Sequence, residues 1–167
     1  MLAHSRSRRA TSSDEVGGLD YIFPTPFGPE CVYLHPTRPT GFAMPLITIL
    51  VEDSPTIRDN LVPALKELVG LNVIAVAETA VGAIAALHVY QAVWRLAVVD
   101  LFLKEGSGLS VLEAFRARDQ HQHILVLSNY ATAVMRRTCL QLGADGVFDK
   151  STELEGFFAQ CNAYEQA

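Results

Sequence analysis

From residue 46 onward the chain repeats one pattern five times: a short apolar run, a polar break, then a segment with helical spacing. The runs are LITILVE (46–52), NVIAVAE (72–78), WRLAVVD (94–100), HILVLS (123–128) and GVFDK (146–150). A strand with one wet face alternates apolar and polar residues. These runs barely alternate, so both of their faces are expected to be covered. Between them, Ser54-Pro55 supplies an N-cap and a first-turn proline for a helix running to Leu68 and closed by Gly70. Pro63 is expected to kink that helix or remove one hydrogen bond. An Ala-rich helix is expected over 80–92, and a third from Leu109 to Arg118 after the turn KEGSG (104–108), with Leu109, Val111, Leu112 and Phe115 inward. A fourth helix runs from Ala131 to Leu142 and stops at Gly143; Thr152 and Glu155 form a capping-box pair for a last one, ending near residue 164. Five such units predict an α/β domain over 44–167, a doubly wound five-stranded parallel sheet. Right-handed crossovers then put the C-terminal ends of all the strands along one edge, where sites of open sheets lie.

Residues 1–43 do not share the pattern. They carry Pro24, Pro26, Pro29, Pro36 and Pro39, and are expected to be a largely disordered extension. Met44 is an alternative start. Arg6, Arg8, Arg9 and Arg38 balance Asp14, Glu15, Asp20 and Glu30, so the formal net charge of -5 belongs to 44–167. That acidity argues against nucleic acid as a partner. Cys31, Cys139 and Cys161 are scattered without CxxC spacing, which fits a reducing compartment and neither a disulfide framework nor a zinc site. The apolar runs are too short to cross a bilayer, and no apolar stretch follows the basic N-terminus as in a secretory signal. The protein is expected to be soluble and cytoplasmic, without membrane contact.

The strand ends carry the chemistry. Glu52 and Asp53 follow the first strand, Asp100 ends the third, Ser128 the fourth and Lys150 the fifth. Singly, each is an ordinary cap or solvated end. Together, on one edge of one parallel sheet, they make a small acidic cleft. Three carboxylates there repel one another unless a positive charge joins them. Mg²⁺ suits the purpose, since it takes oxygen ligands and favours one or two carboxylates plus a phosphate. A cation, the Lys150 ammonium and the Ser128 hydroxyl around one carboxylate would cradle a phosphoryl group on that carboxylate, and aspartate is a competent nucleophile in phosphoryl transfer.

The segments ITILVEDSPTIRDNL, LAVVDLFLKEGSGLSVL, ILVLSNY and LGADGVFDKS, spanning 46–151, resemble the receiver (response-regulator) domains of two-component signalling. The resemblance implies a flavodoxin-like (βα)5 fold with strand order 2-1-3-4-5. It implies that Asp100 accepts phosphate from the phosphohistidine of a sensor histidine kinase or histidine phosphotransfer protein. It implies that Asp53 and Asp100 bind Mg²⁺ directly with the Phe102 backbone carbonyl, that Glu52 reaches the ion through water, and that Ser128 and Lys150 hold phosphoryl oxygens. Catalysis is expected only on the chain itself, in its own phosphorylation and dephosphorylation, so it is not expected to be an enzyme for other substrates.

Some positions depart from the family's pattern. Val147 stands where an inward-swinging aromatic is usual, Ser151 where proline often follows the lysine, and Lys104 where proline often sits four residues after the acceptor. Phe102 and Tyr130 are expected to overhang the site, restrict water and lengthen the phosphorylated state. No output domain is expected. Signalling then runs through contacts with a downstream protein on residues 131–164, where Arg136 and Arg137 are candidate contacts or a solvated helix face.

Rival readings have weaker support. A haloacid-dehalogenase-like phosphatase would carry a second aspartate two residues after the nucleophile, where Phe102 stands. A nucleotide or flavin binder would have a Gly-rich first loop, where the chain reads Glu52-Asp53-Ser54-Pro55. A degenerate receiver that binds partners without phosphate is disfavoured by the complete set of five residues.

Overall fold

The computed structural model describes residues 45–166; the extension 1–43 and the alternative start at Met44 lie outside the described residues. The elements alternate strictly: β1 (Ile47–Val51), α1 (Pro55–Val69), β2 (Asn72–Ala77), α2 (Ala80–Val89), β3 (Leu96–Val99), α3 (Gly108–Ala114), β4 (His123–Ser128), α4 (Ala133–Gln141), β5 (Gly146–Asp149) and α5 (Leu154–Glu165). All ladders are parallel, and the sheet order is β2-β1-β3-β4-β5.

The unbroken apolar runs have a simple cause. Successive side chains of a strand point to opposite faces, and here each face has its own core. Ile49, Val51, Ala97, Val99, Ile124 and Val126 pack with α2, α3 and α4 through Ala83, Leu87, Val111, Leu112 and Cys139. Leu50, Leu96, Val98, Leu125 and Leu127 pack with α1 and α5 through Leu61, Leu65, Val69, Phe157 and Cys161. Both described cysteines are free and buried. Burial raises both thiols above their ordinary range, Cys161 to about 12, and both pack in the core.

Register sets where the strand ends fall. Val51, Val99, Val126 and Val147 form one row across β1, β3, β4 and β5. Glu52 and Asp100 come one residue beyond that row, Ser128 two beyond and Lys150 three beyond. The ladder also continues past the named strands, with Asp100 N donating to Val51 O at 2.9 Å and Lys150 N to Ser128 O at 3.2 Å. The loop after β3 is pulled tight against the sheet. Gly108 N donates to Leu101 O at 3.0 Å, and a Cβ at Gly108 would lie 2.2 Å from the Asp100 carbonyl oxygen. Only glycine fits there.

Several boundaries differ from the sequence reading. The third strand begins at Leu96, not residue 94, because Trp94 turns into the core and its indole N–H donates to Leu87 O at 3.1 Å. The second helix ends at Val89 and the third at Ala114, four residues short, where Phe115 closes the helix from a buried position. Helix α1 runs through Pro63 without a break; the proline is on the exposed side, where solvent can serve the carbonyl it leaves unpaired. The Thr152–Glu155 capping box does not form. Asp149 Oδ1 takes the Ser151 and Thr152 amides and the Thr152 hydroxyl, so α5 begins at Leu154 with no side-chain cap.

Candidate functional site

The five polar strand ends line one cleft, together with Ser54, Phe102, Leu103 and Tyr130. Carboxylate oxygens of Glu52, Asp53 and Asp100 lie within 4.8 Å of one another. Glu52 is 2% exposed and Asp100 9%, so neither carboxylate is screened by bulk water. Lys150 supplies the positive charge they require. Its Nζ donates to Glu52 Oε2 at 2.6 Å and to Asp100 Oδ2 at 2.7 Å, joining residues 98 and 50 positions apart.

Main-chain amides orient the rest. Asp100 Oδ1 accepts from Leu101 N at 2.6 Å and from Phe102 N at 3.4 Å, while Glu52 Oε1 accepts from Ser54 N at 3.1 Å. Glu52 and Asp100 thus each have one oxygen fixed by the backbone and one turned to Lys150. Ser128 is fully buried, and its Oγ has no hydrogen-bond partner among the described residues. An unmatched buried hydroxyl is costly and uncommon. Placed in this cleft, it is a donor ready for a ligand oxygen. The donor set is entirely oxygen, without sulfur or imidazole, and therefore suits a hard divalent cation.

Two aromatic rings stand over the cleft. Phe102 and Tyr130 are 52% and 56% exposed, and their ring centroids are 4.2 Å apart at 43°. They touch each other across the mouth, one from the loop after β3 and the other from the loop after β4.

The sequence of the response regulator receiver domain family matches residues 48–161 of this chain. The chain belongs to that family. This receiver domain is 35% identical over 63 residues to the acid tolerance regulatory protein ActR of Rhizobium meliloti (strain 1021); the match covers 38% of this chain and 32% of that protein, so the chain spans about a third of the length of the curated relative it matches. Among solved structures, the receiver domain of the sensor histidine kinase PA1611 from Pseudomonas aeruginosa PAO1, with a magnesium ion coordinated in its active site cleft, is 20% identical with a TM-score of 0.62, over 74% of this chain and 100% of that one. A CheX–CheY–BeF3–Mg²⁺ complex from Borrelia burgdorferi matches at 16% identity and a TM-score of 0.64, over 72% of this chain and 89% of that one. At these identities the solved structures establish a shared fold, the five-stranded parallel order found here.

Two arginines have roles the sequence reading did not foresee. Arg136, a candidate partner contact, is occupied within the domain. It donates to Ala131 O at 2.8 Å and to Val147 O at 2.5 Å, and pairs with Glu153 at 2.5 Å. The Arg136 guanidinium and the Asp149 amide hold the Glu153 carboxyl below its ordinary range. Only Arg137 of the two is exposed. Arg58, absent from the candidate list, donates to Glu52 O at 3.1 Å and Asp53 O at 3.0 Å. The signal was present in the sequence: a cation in the first turn of a helix, where the dipole disfavours it, needs another reason to be there.

Proposed function

We propose that this receiver domain is a phosphoacceptor, taking a phosphoryl group onto Asp100 from the phosphohistidine of a sensor histidine kinase or histidine phosphotransfer protein. The observation that carries the reading is the convergence of Glu52, Asp53, Asp100, Ser128 and Lys150 on one cleft, with Lys150 touching the acceptor acid. Asp100 Oδ1 is held by two amides, so Oδ2, on the lysine side, is the attacking atom. It bonds to phosphorus as the bond from phosphorus to the donor imidazole nitrogen breaks, and the imidazole keeps the electron pair. Lys150 moves with the charge, from the carboxylate to a phosphoryl oxygen, and the Ser128 hydroxyl donates to another. Asp53, Asp100 and the Phe102 carbonyl would hold a magnesium ion, with Glu52 joined to it through water. When bound, that ion supplies neutralising charge to the phosphoryl oxygens.

The chain's chemistry is confined to itself, its own phosphorylation and dephosphorylation, in the cytoplasm. Its output is protein contact with a downstream target on residues 131–164. There Arg137 and the exposed Val134 and Leu140 are available on α4, and the acyl phosphate's added negative charge reaches them through the loop that starts at Ser128. Neither nucleic acid nor membrane is a partner in this reading; among the described residues no helix is long and apolar enough to cross a membrane.

Incubation with Mg²⁺ and a small phosphodonor, followed by intact mass, tests the proposal. Wild type gains one phosphate and Asp100→Asn gains none. An equal gain in the variant, or none in wild type, removes Asp100 as the acceptor.

A further inference from the structure

Arg58 sits in the first turn of α1 with its side chain 19% exposed. One nitrogen, Nη1, donates to the carbonyls of both Glu52 and Asp53. The other, Nη2, pairs with Glu78 Oε1 at 3.0 Å, just beyond the end of β2. These carbonyls lie where the sheet runs out. Glu52 N still donates to Ala77 O at 2.9 Å, but past that rung the β1 backbone has left the ladder. The guanidinium therefore takes the place of a neighbouring strand for the two peptides that carry the acids, and Glu78 fixes its angle. Arg58 does not line the cleft. It grips the backbone from behind while the Glu52 side chain faces Lys150 and Asp53 faces the cleft.

We propose that Arg58, braced by Glu78, is a positioning residue that aims Glu52 and Asp53 at a divalent cation; the proposal rests on the metal-dependent reading above. Position and charge predict opposite signs, which makes the two separable. As a mere nearby positive charge, Arg58 would repel a cation, and its removal would tighten binding. As a clamp, its removal lets the Glu52–Asp53 peptides turn and weakens binding, by roughly tenfold if it behaves like other groups that orient metal ligands from the outer shell. Lysine reaches one carbonyl but cannot fork to Glu78 as well, so Arg58→Lys should recover part of the affinity.

The experiment is calorimetric titration of the full chain with MgCl2, for wild type, Arg58→Met, Arg58→Lys and Glu78→Gln, beside thermal unfolding of each in EDTA. Arg58→Met should weaken Mg²⁺ binding roughly tenfold, with Arg58→Lys between it and wild type and Glu78→Gln weaker by a smaller factor, while all four remain folded in EDTA. Unchanged or tighter binding by folded Arg58→Met overturns the clamp but leaves the metal reading standing. No Mg²⁺ binding by wild type overturns both. Glu78 is 46% exposed, so Glu78→Gln keeps the test decisive if Arg58→Met does not fold: unchanged affinity there overturns the proposal.

Discussion

The two ends of the same sheet are finished in opposite ways. At the N-terminal end the polar groups are closed off against one another. Arg118 donates to Gln122 O, Phe115 O and Gly143 O and pairs with Asp145, whose Oδ2 also accepts from Ile124 N at 2.7 Å. Gln122, immediately before β4, donates from Nε2 to Gln91 O at 2.7 Å, and buried Thr48 donates to Leu46 O at 2.9 Å. At the C-terminal end three carboxylates crowd together, one lysine serves two of them, and the Ser128 hydroxyl has no partner among the described residues. The lesson is a division of labour. One edge spends its polar groups on the fold, and the other leaves them crowded and partly unmatched, as the proposed phosphoacceptor role requires.

Substitution on both edges tests that contrast most severely. Arg118→Ala strips three part-buried carbonyls and an aspartate of their donor and should cost about 2 kcal/mol, read by urea unfolding, while leaving phosphorylation intact in the folded fraction. Ser128→Ala should stay within about 0.5 kcal/mol of wild type, since no hydrogen bond is lost, yet slow phosphorylation. If the two stability changes came out equal, the contrast would be wrong.

A smaller effect sharpens the comparison at the open edge. Replacing Phe102 and Tyr130 together by serine should speed loss of phosphate roughly fivefold, about 1 kcal/mol in the barrier, followed as decay of the phosphorylated mass. An unchanged decay rate would show that the ring pair does not restrict water.

The smallest effect belongs to the closed edge. His123 stacks on Tyr164, with centroids 3.8 Å apart and planes 3° from parallel. Burial holds its pKa below the usual 6.5, against the pull of Asp145 and with help from Arg118, Arg95 and His121. The unfolded chain therefore binds the proton more readily than the folded one. Stability is present in full above pH 6.5 and is lost as pH falls through the interval from there to the folded value. His123→Gln should flatten that slope in unfolding curves, and an unaltered slope would place the titration elsewhere.

The sheet was legible because each interior strand is buried on both faces, which writes a continuous apolar run such as HILVLS into the chain. The cleft was legible because a parallel sheet forces its strand ends together, so Asp100 and Lys150 could be paired from 50 positions apart. Side-chain-to-backbone bonds were not legible. Arg136 read as a partner contact or a solvated helix face, because the carbonyls it serves leave no trace in residue identity. The capping box at Thr152 failed for a related reason: Asp149, three residues earlier, takes the Thr152 amide and hydroxyl. The start of β3 moved because Trp94 gained more by turning into the core than by extending the strand.

The unpartnered hydroxyl of Ser128 has a practical consequence for anyone improving this domain as a scaffold. A library screened only for heat resistance would pass alanine at that position, since it gives up no bond. Successive rounds would yield a protein no less stable but, on the proposed function, slower to take phosphate, and no melting curve along the way would register the loss.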